Sequence, residues 1–182
     1  SARNLGISKA KGEYLFLLDV DDTIAKNSLK LLYNEAKKNK SDLIFSDFSR
    51  IEAGKNLRQN FFNYNSNKIF TNKDLKKGML SQIHFNNFGH QGLFGINGRL
   101  IKRKIIIKNK ILFEEKLRYL EDETFAWDLL GFINNAKYIH KQLYRYNVNP
   151  NHSSAVVEGL NKGFPISNFK LANIHVKKSL KK

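Results

Sequence analysis

The chain has 182 residues, 32 Lys and Arg against 16 Asp and Glu, a formal net charge of +16 and no cysteine. That length suits one domain with its own core, and the lack of cysteine excludes a disulfide framework and thiolate-bound zinc and fits a reducing cytosol. No apolar run approaches the ~20 residues of a membrane span, and the opening SARNLGISKAKGEY does not read as a signal peptide.

So positive a chain attracts nucleic acid, anionic lipid or phosphorylated substrates. Abundant Lys, Asn and Ile fit plain compositional bias equally well. The basic residues are scattered except at the end, from His175 to Lys182. There is no zinc-finger spacing and no glycine-aromatic RNA-binding strand, so no nucleic-acid partner is expected.

In chain order, residues 13–18 read as a short buried strand, bounded by Gly12 and Asp19. Ser28 is placed to cap a helix reaching Asn39, with Leu29, Leu32, Tyr33 and Ala36 on one face. Residues 42–47, DLIFSD, form a second strand. Residues 48–70, rich in Asn and aromatics, suggest a ragged hairpin turning at Ala53-Gly54-Lys55-Asn56. Thr71 caps a helix to Ile83, and a glycine-rich loop follows. Residues 100–113 mix basic and apolar residues without a clean period. A helix spans 120–133, with Phe125, Leu129, Phe132 and Ile133 sharing a face and Glu121, Asp122 and Glu123 in its first turn. Residues 138–148 read as a strand pair or one extended segment, 150–163 are loop, and Pro165 opens a last amphipathic helix with Ile166, Phe169, Ile174 and Leu180 set among lysines. Strands alternating with helices give an α/β class, and ligands of such sheets sit beyond the carboxyl ends of strands. Asp19-Val20-Asp21-Asp22-Thr23 lies at such an end.

That string fits two chemistries. A strand followed by Asp-x-Asp-x-Thr resembles the first motif of haloacid dehalogenase-like phosphatases, in which Asp19 would be a nucleophile and Asp21 an acid/base. The strand 43–46 ending in Ser46 resembles their second motif. Their late motif, Gly-Asp with a preceding lysine, has no counterpart, because the late acidic run here is Glu121-Asp122-Glu123.

The lead-in weighs the other way. Ala2-Arg3-Asn4-Leu5-Gly6, then Ala10, Gly12-Glu13-Tyr14, the strand and Asp19-Val20-Asp21-Asp22 resemble the family 2 glycosyltransferases of GT-A fold. Gly98 to Arg103 resembles that family's stretch after the acceptor loop. Tyr119-Leu120-Glu121-Asp122-Glu123-Thr124-Phe125 resembles its Glu-Asp-x-x-Phe helix start, and Tyr144-Arg145-Tyr146 with His152-Ser153-Ser154 loosely resembles its closing loop.

The resemblance implies a partial GT-A domain over residues 1–164 and a basic helix over 165–182. The family's first strand–helix units would precede Ala2, so a fragment is expected, inactive alone and weak in nucleotide-sugar binding. An inactive fragment that only binds a partner is a further alternative. The implied activity is inverting, metal-dependent transfer from a nucleotide-sugar, UDP-sugar foremost, to a saccharide or lipid-linked acceptor in cell-surface polysaccharide synthesis. Asp21 is implied as ligand of Mn or Mg, a hard cation that neutralises a diphosphate leaving group. Asp19, Arg3 and Asn4 would face the nucleotide, Asp122 would be the base, Glu121 would stand on the acceptor side, and His152 is a further metal-ligand candidate. Asp22 would shape the turn. The helix start would hold the Asp122 pKa down, with Glu121 and Glu123 pushing the other way. The expected location is the cytoplasm, with the basic end resting on the inner face of the membrane; solvated lysines on an ordinary terminal helix are the alternative.

Overall fold

The computed structural model describes residues 1–59, 66–84, 95–117, 119–148 and 166–181. Two long strands form its spine. β3 (Leu43–Glu52) and β7 (Asn135–Val148) run parallel, with a register irregularity at Asp47. Shorter antiparallel strands cover their outer edges. β6 (Leu100–Lys102) lies on the start of β3, and β1 (Tyr14–Phe16) lies on β6. β4 (Lys55–Gln59) covers the far half of β3. On β7, β5 (Lys68–Thr71) covers the first part and β2 (Thr23–Ile24) the last. The mixed sheet has the order β1-β6-β3-β7-β2.

The β3–β4 hairpin turns on Ala53 and Gly54, with φ of 49° and 74°. This two-residue loop needs positive φ at both positions, which the turn sequence anticipates. Helix α3 (Asn72–His84) starts as expected: Thr71 Oγ1 accepts from the Asp74 amide, and Asp74 Oδ2 accepts from the Thr71 amide at 2.9 Å. These reciprocal bonds satisfy two donors that a bare helix start would leave open. The start of α2 (Ser28–Asn39) differs from expectation. Asn27, at φ 64°, holds the cap position, and Ser28 Oγ instead donates to the carbonyls of Ala25 and Leu143, tying the helix to β7. Leu32 and Ala36 are buried while Leu29 and Tyr33 stay exposed, so the inward face of α2 is narrower than the apolar pattern suggested.

One core cluster lies under α2, where Leu32 and Ala36 meet Ile44, Leu100, Ile139 and Leu143. The larger cluster joins Ile7 of α1 (Ala2–Lys9), Leu75 of α3, Ile106 of α4 (Arg103–Lys108) and Phe125, Trp127 and Leu129 of α5 (Glu121–Leu130) to the sheet. Residues 100–108, without clean period in sequence, are thus strand β6 running straight into α4. The last helix, α6 (Ile166–Leu180), packs on α5. It buries Asn168 and Ser179 and leaves Phe169, Ile174 and Leu180 of the expected apolar set exposed.

Candidate functional site

The turn 19–22 follows β1 and is closed by the Asp22 amide donating to the Asp19 carbonyl at 3.1 Å. Its carboxylates have unlike surroundings. Asp22 is buried, and both its oxygens are engaged: Oδ2 accepts from the Tyr144 hydroxyl and Oδ1 from the Asn147 amide at 2.9 Å. Burial pushes its pKa up, and these two bonds oppose the shift. Asp22 is therefore occupied as a structural acceptor. Asp19 is half-buried; one oxygen accepts from Arg3 at 3.0 Å and the other from the Asn97 amide. The Asp21 side chain is exposed, and among the described residues nothing engages its carboxylate.

The second acidic group stands at the start of α5. Leu120 precedes it in the left-handed region, at φ 68°, and no side chain caps the helix. Arg3 joins the two groups. Its guanidinium reaches Asp122 at 2.7 Å and Glu121 at 3.5 Å while holding Asp19. It lies 5.2 Å from the centre of the Phe113 ring, which stacks on Phe125 of α5 at 4.2 Å. A planar guanidinium can serve carboxylates on two sides and an aromatic face at once.

The helix start does not keep the Asp122 pKa low, as the sequence suggested. Burial dominates and pushes it up to about 6, with Arg3 pulling down. Glu123 goes up to about 7, first through burial and then through Asp122 and Glu121. Buried Arg99, 5.7 Å from the Phe45 ring, adds positive field toward Asp122, and burial lowers its own pKa to about 10.

The structure thus brings Arg3, Asp19, Glu121 and Asp122 together. Asn4 is turned elsewhere: its side-chain amide accepts from the Phe113 amide at 2.8 Å and donates to the Phe113 carbonyl at 3.0 Å. It clasps the backbone of Phe113, whose ring lies under Arg3. His152 lies outside the described residues. Sequence reasoning gave no site role to Asn97, Arg99 or Tyr144. Arg99 and Tyr144 lie in the matched stretches 98–103 and 144–146 and Asn97 flanks the first, which was the available signal.

No group of three or more His, Asp or Glu poised around a cation occurs among the described residues. The free Asp21 carboxylate, with Asp19 two residues away, suits a hard cation that keeps one or two protein carboxylates and takes its other oxygens from a bound diphosphate. The donor set fits magnesium or manganese shared with substrate, and does not fit a cation caged by protein alone.

Residues 1–96 match the profile of glycosyl transferase family 2. A cholesterol galactosyltransferase of Borreliella burgdorferi is 29% identical over 150 residues, covering 78% of this chain and 41% of the relative. EpsJ of Bacillus subtilis, described as an uncharacterized glycosyltransferase, is 26% identical over 153 residues, covering 83% of this chain and 42% of its own. The chain spans about two-fifths of the length of these relatives. Among solved structures, S. aureus TarS 1–349 in complex with UDP-GlcNAc superposes with a TM-score of 0.63 at 18% identity, covering 98% of this chain and 50% of TarS 1–349. The same fragment in complex with UDP gives 0.62 at 20% identity, over 81% of this chain and 39% of the other. At such identity the superposition speaks for the fold, which is that of the GT-A transferases.

Proposed function

The chain belongs to glycosyl transferase family 2, and on that premise we propose that it carries the catalytic centre of an inverting transferase that moves a sugar from a UDP-sugar to a saccharide or lipid-linked acceptor in cell-surface polysaccharide synthesis. Family membership sets aside the phosphatase alternative. The observation that carries the reading is the Arg3 bridge, which ties Asp19 at the donor side to Asp122 at the acceptor side.

Asp21, with Asp19 beside it, would hold a divalent cation, which when bound supplies positive charge to the diphosphate leaving group. Arg3 adds its own charge at the junction. Asp122 takes the proton of the acceptor hydroxyl as that oxygen attacks C1. The C1–oxygen bond to the diphosphate breaks on the opposite face, releasing UDP with inversion. A base with a pKa of about 6 is largely ionised at pH 7 and still accepts a proton readily. Glu121, also reached by the Arg3 guanidinium at 3.5 Å, would stand on the acceptor side. Residues 1–164 would be the transferase part and 165–182 a basic terminal segment, whose helix α6 packs on α5. Phe169, Ile174 and Leu180, exposed together with Lys170, Lys177 and Lys178, support contact of that helix with an anionic membrane at the cytoplasmic face.

Paramagnetic NMR tests the donor side on this chain at millimolar ligand, where weak binding still registers. Mn²⁺ with UDP is expected to broaden the Val20 and Asp21 amides, and Asp21→Asn to abolish the effect. For transfer to a saccharide acceptor, Asp122→Asn is expected to lose at least about 100-fold in rate with UDP broadening retained. Wild-type rates in Asp122→Asn would sink the reading. Flotation with anionic vesicles, with and without residues 166–182, tests the membrane contact; equal flotation rejects it.

A further inference from the structure

Tyr144 stands in the half of β7 that pairs with β2 and is 5% exposed. Its hydroxyl works in both directions. It donates to Asp22 Oδ2 and accepts from the Asp19 amide at 3.5 Å. Three residues on, Asn147 repeats the pattern: its amide donates to Asp22 Oδ1 at 2.9 Å, and its side chain to the Asp21 carbonyl at 2.7 Å. Two residues of one strand therefore grip the backbone of the turn at both ends, through groups that are not themselves free for ligand.

The Tyr144 ring is fixed from the other side. Gly98, at φ +73°, lies so close that an added Cβ would stand 2.8 Å from the ring. Its amide donates to the Leu17 carbonyl at 3.1 Å, at the end of the strand that leads into the turn. A ring held this way leaves its hydroxyl little choice of position.

We infer that Tyr144 is a positioning residue for the donor site, setting the separation of Asp19 and Asp21 through the Asp22 carboxylate and the Asp19 peptide. This rests on the reading of the turn as the nucleotide-sugar and metal side. The physical need is plain. Asp21 is exposed and unsupported by side-chain partners among the described residues, so its position is only as well defined as the backbone beneath it. A carboxylate shared between a cation and a diphosphate tolerates little displacement.

The test uses the 182-residue chain and Tyr144→Phe, which keeps the ring against Gly98 and removes only the hydroxyl. Two readouts separate the inference from its premise. In the free chain, hydrogen exchange at the Asp22 and Asn147 amides is expected to accelerate at least tenfold, with the Ile44 and Ile139 amides of the spine unchanged. With Mn²⁺ and UDP, the concentration that half-broadens the Asp21 amide is expected to rise at least tenfold at a temperature where the variant is fully folded. A residue that only stabilises the fold would lower Tm and leave that concentration unchanged, which overturns the inference while the donor reading stands. If wild type itself shows no broadening, the donor reading fails and the inference with it, although accelerated exchange would still establish the clamp. Asp22→Asn, left with one acceptor oxygen for two donors, the Tyr144 hydroxyl and the Asn147 amide, is expected to raise the half-broadening concentration by less than Tyr144→Phe; a larger rise would overturn the inference by placing the control in the Asp22 carboxylate and not in the hydroxyl.

Discussion

Two short acidic runs, Asp19-Val20-Asp21-Asp22 and Glu121-Asp122-Glu123, meet on one arginine, yet the fold treats them in opposite ways. In the first, one carboxylate is spent on the scaffold while another stands exposed at the surface. In the second, no side chain caps the helix, and burial lifts two carboxyls out of their usual range, to about 6 and 7. Similar residues thus take a ligand role or a proton-transfer role according to what surrounds them.

The sharpest way to break this contrast is within the first run. Asp22→Ala leaves the Tyr144 hydroxyl and the Asn147 amide without their acceptor in a buried place. Each such group costs ~1–3 kcal/mol, so a loss of about 2–4 kcal/mol is expected in urea unfolding. Asp21→Ala, at the adjacent but exposed residue, is expected to change stability by less than about 0.5 kcal/mol. Equal losses would show that the two aspartates do not differ as described.

The second run predicts the opposite sign. Between about pH 4 and pH 7 the folded state holds protons on Asp122 and Glu123 that the unfolded chain has released. Stability from these groups is therefore greatest at low pH and declines as pH rises through that window. Glu123→Gln removes its share of the penalty. It is expected to gain about 1–2 kcal/mol at pH 8, discounting for partial solvent screening, and nothing at pH 4. A loss at pH 8 would mean that Glu123 has an ionised partner and is not held up by burial.

Much of this was legible in the sequence, for local reasons. The strand into Asp19, the Thr71 cap, the Ala53-Gly54 turn and the acidic first turn of α5 all depend on neighbours within a few residues. The lead-in from Ala2 to Asp22 was legible because its motif is continuous. What escaped depends on distant pairing. Nothing near Gly98 announces that its missing side chain makes room for Tyr144, 46 residues on. Nothing near Ser28 announces that the Leu143 carbonyl competes for its hydroxyl. The Asp122 pKa was misjudged because the helix start is visible in sequence and burial is not. The packing of the last helix was not legible either, because Asn168 and His175 hold it to the rest of the fold through polar ties that hydrophobic periodicity does not count.

Arg3 is the point where the two runs can be uncoupled. Arg3→Gln removes the cation that opposes burial at Asp122. The Asp122 titration, followed by carboxyl carbon NMR, is expected to move up from about 6 by roughly one unit. Asp122 would then be about half protonated at pH 7, leaving correspondingly less of it available as base. An unmoved titration would show that Arg3 does not set its charge.

The smallest expected effect asks what maintains burial at the second run. Two polar ties bracket α5 from α6. Asn168 donates to the Tyr119 carbonyl at 3.4 Å, just before Leu120, and His175 meets Asp128 at 2.7 Å near the helix end. Loss of a single half-buried tie costs on the order of 1 kcal/mol, so His175→Ala is expected to loosen α6 by about that much, read as faster amide exchange over residues 169–179. If α6 helps to keep water from the start of α5, the Glu123 titration then drifts down from about 7 toward the usual carboxylate range. The Asp22 amide, bonded to the Asp19 carbonyl in a turn whose Asp22 carboxylate is held from β7, is expected to keep its exchange rate. A shift at Asp22 equal to that at Glu123 would mean that the two acidic runs share one support, and that their contrast comes from local bonding alone.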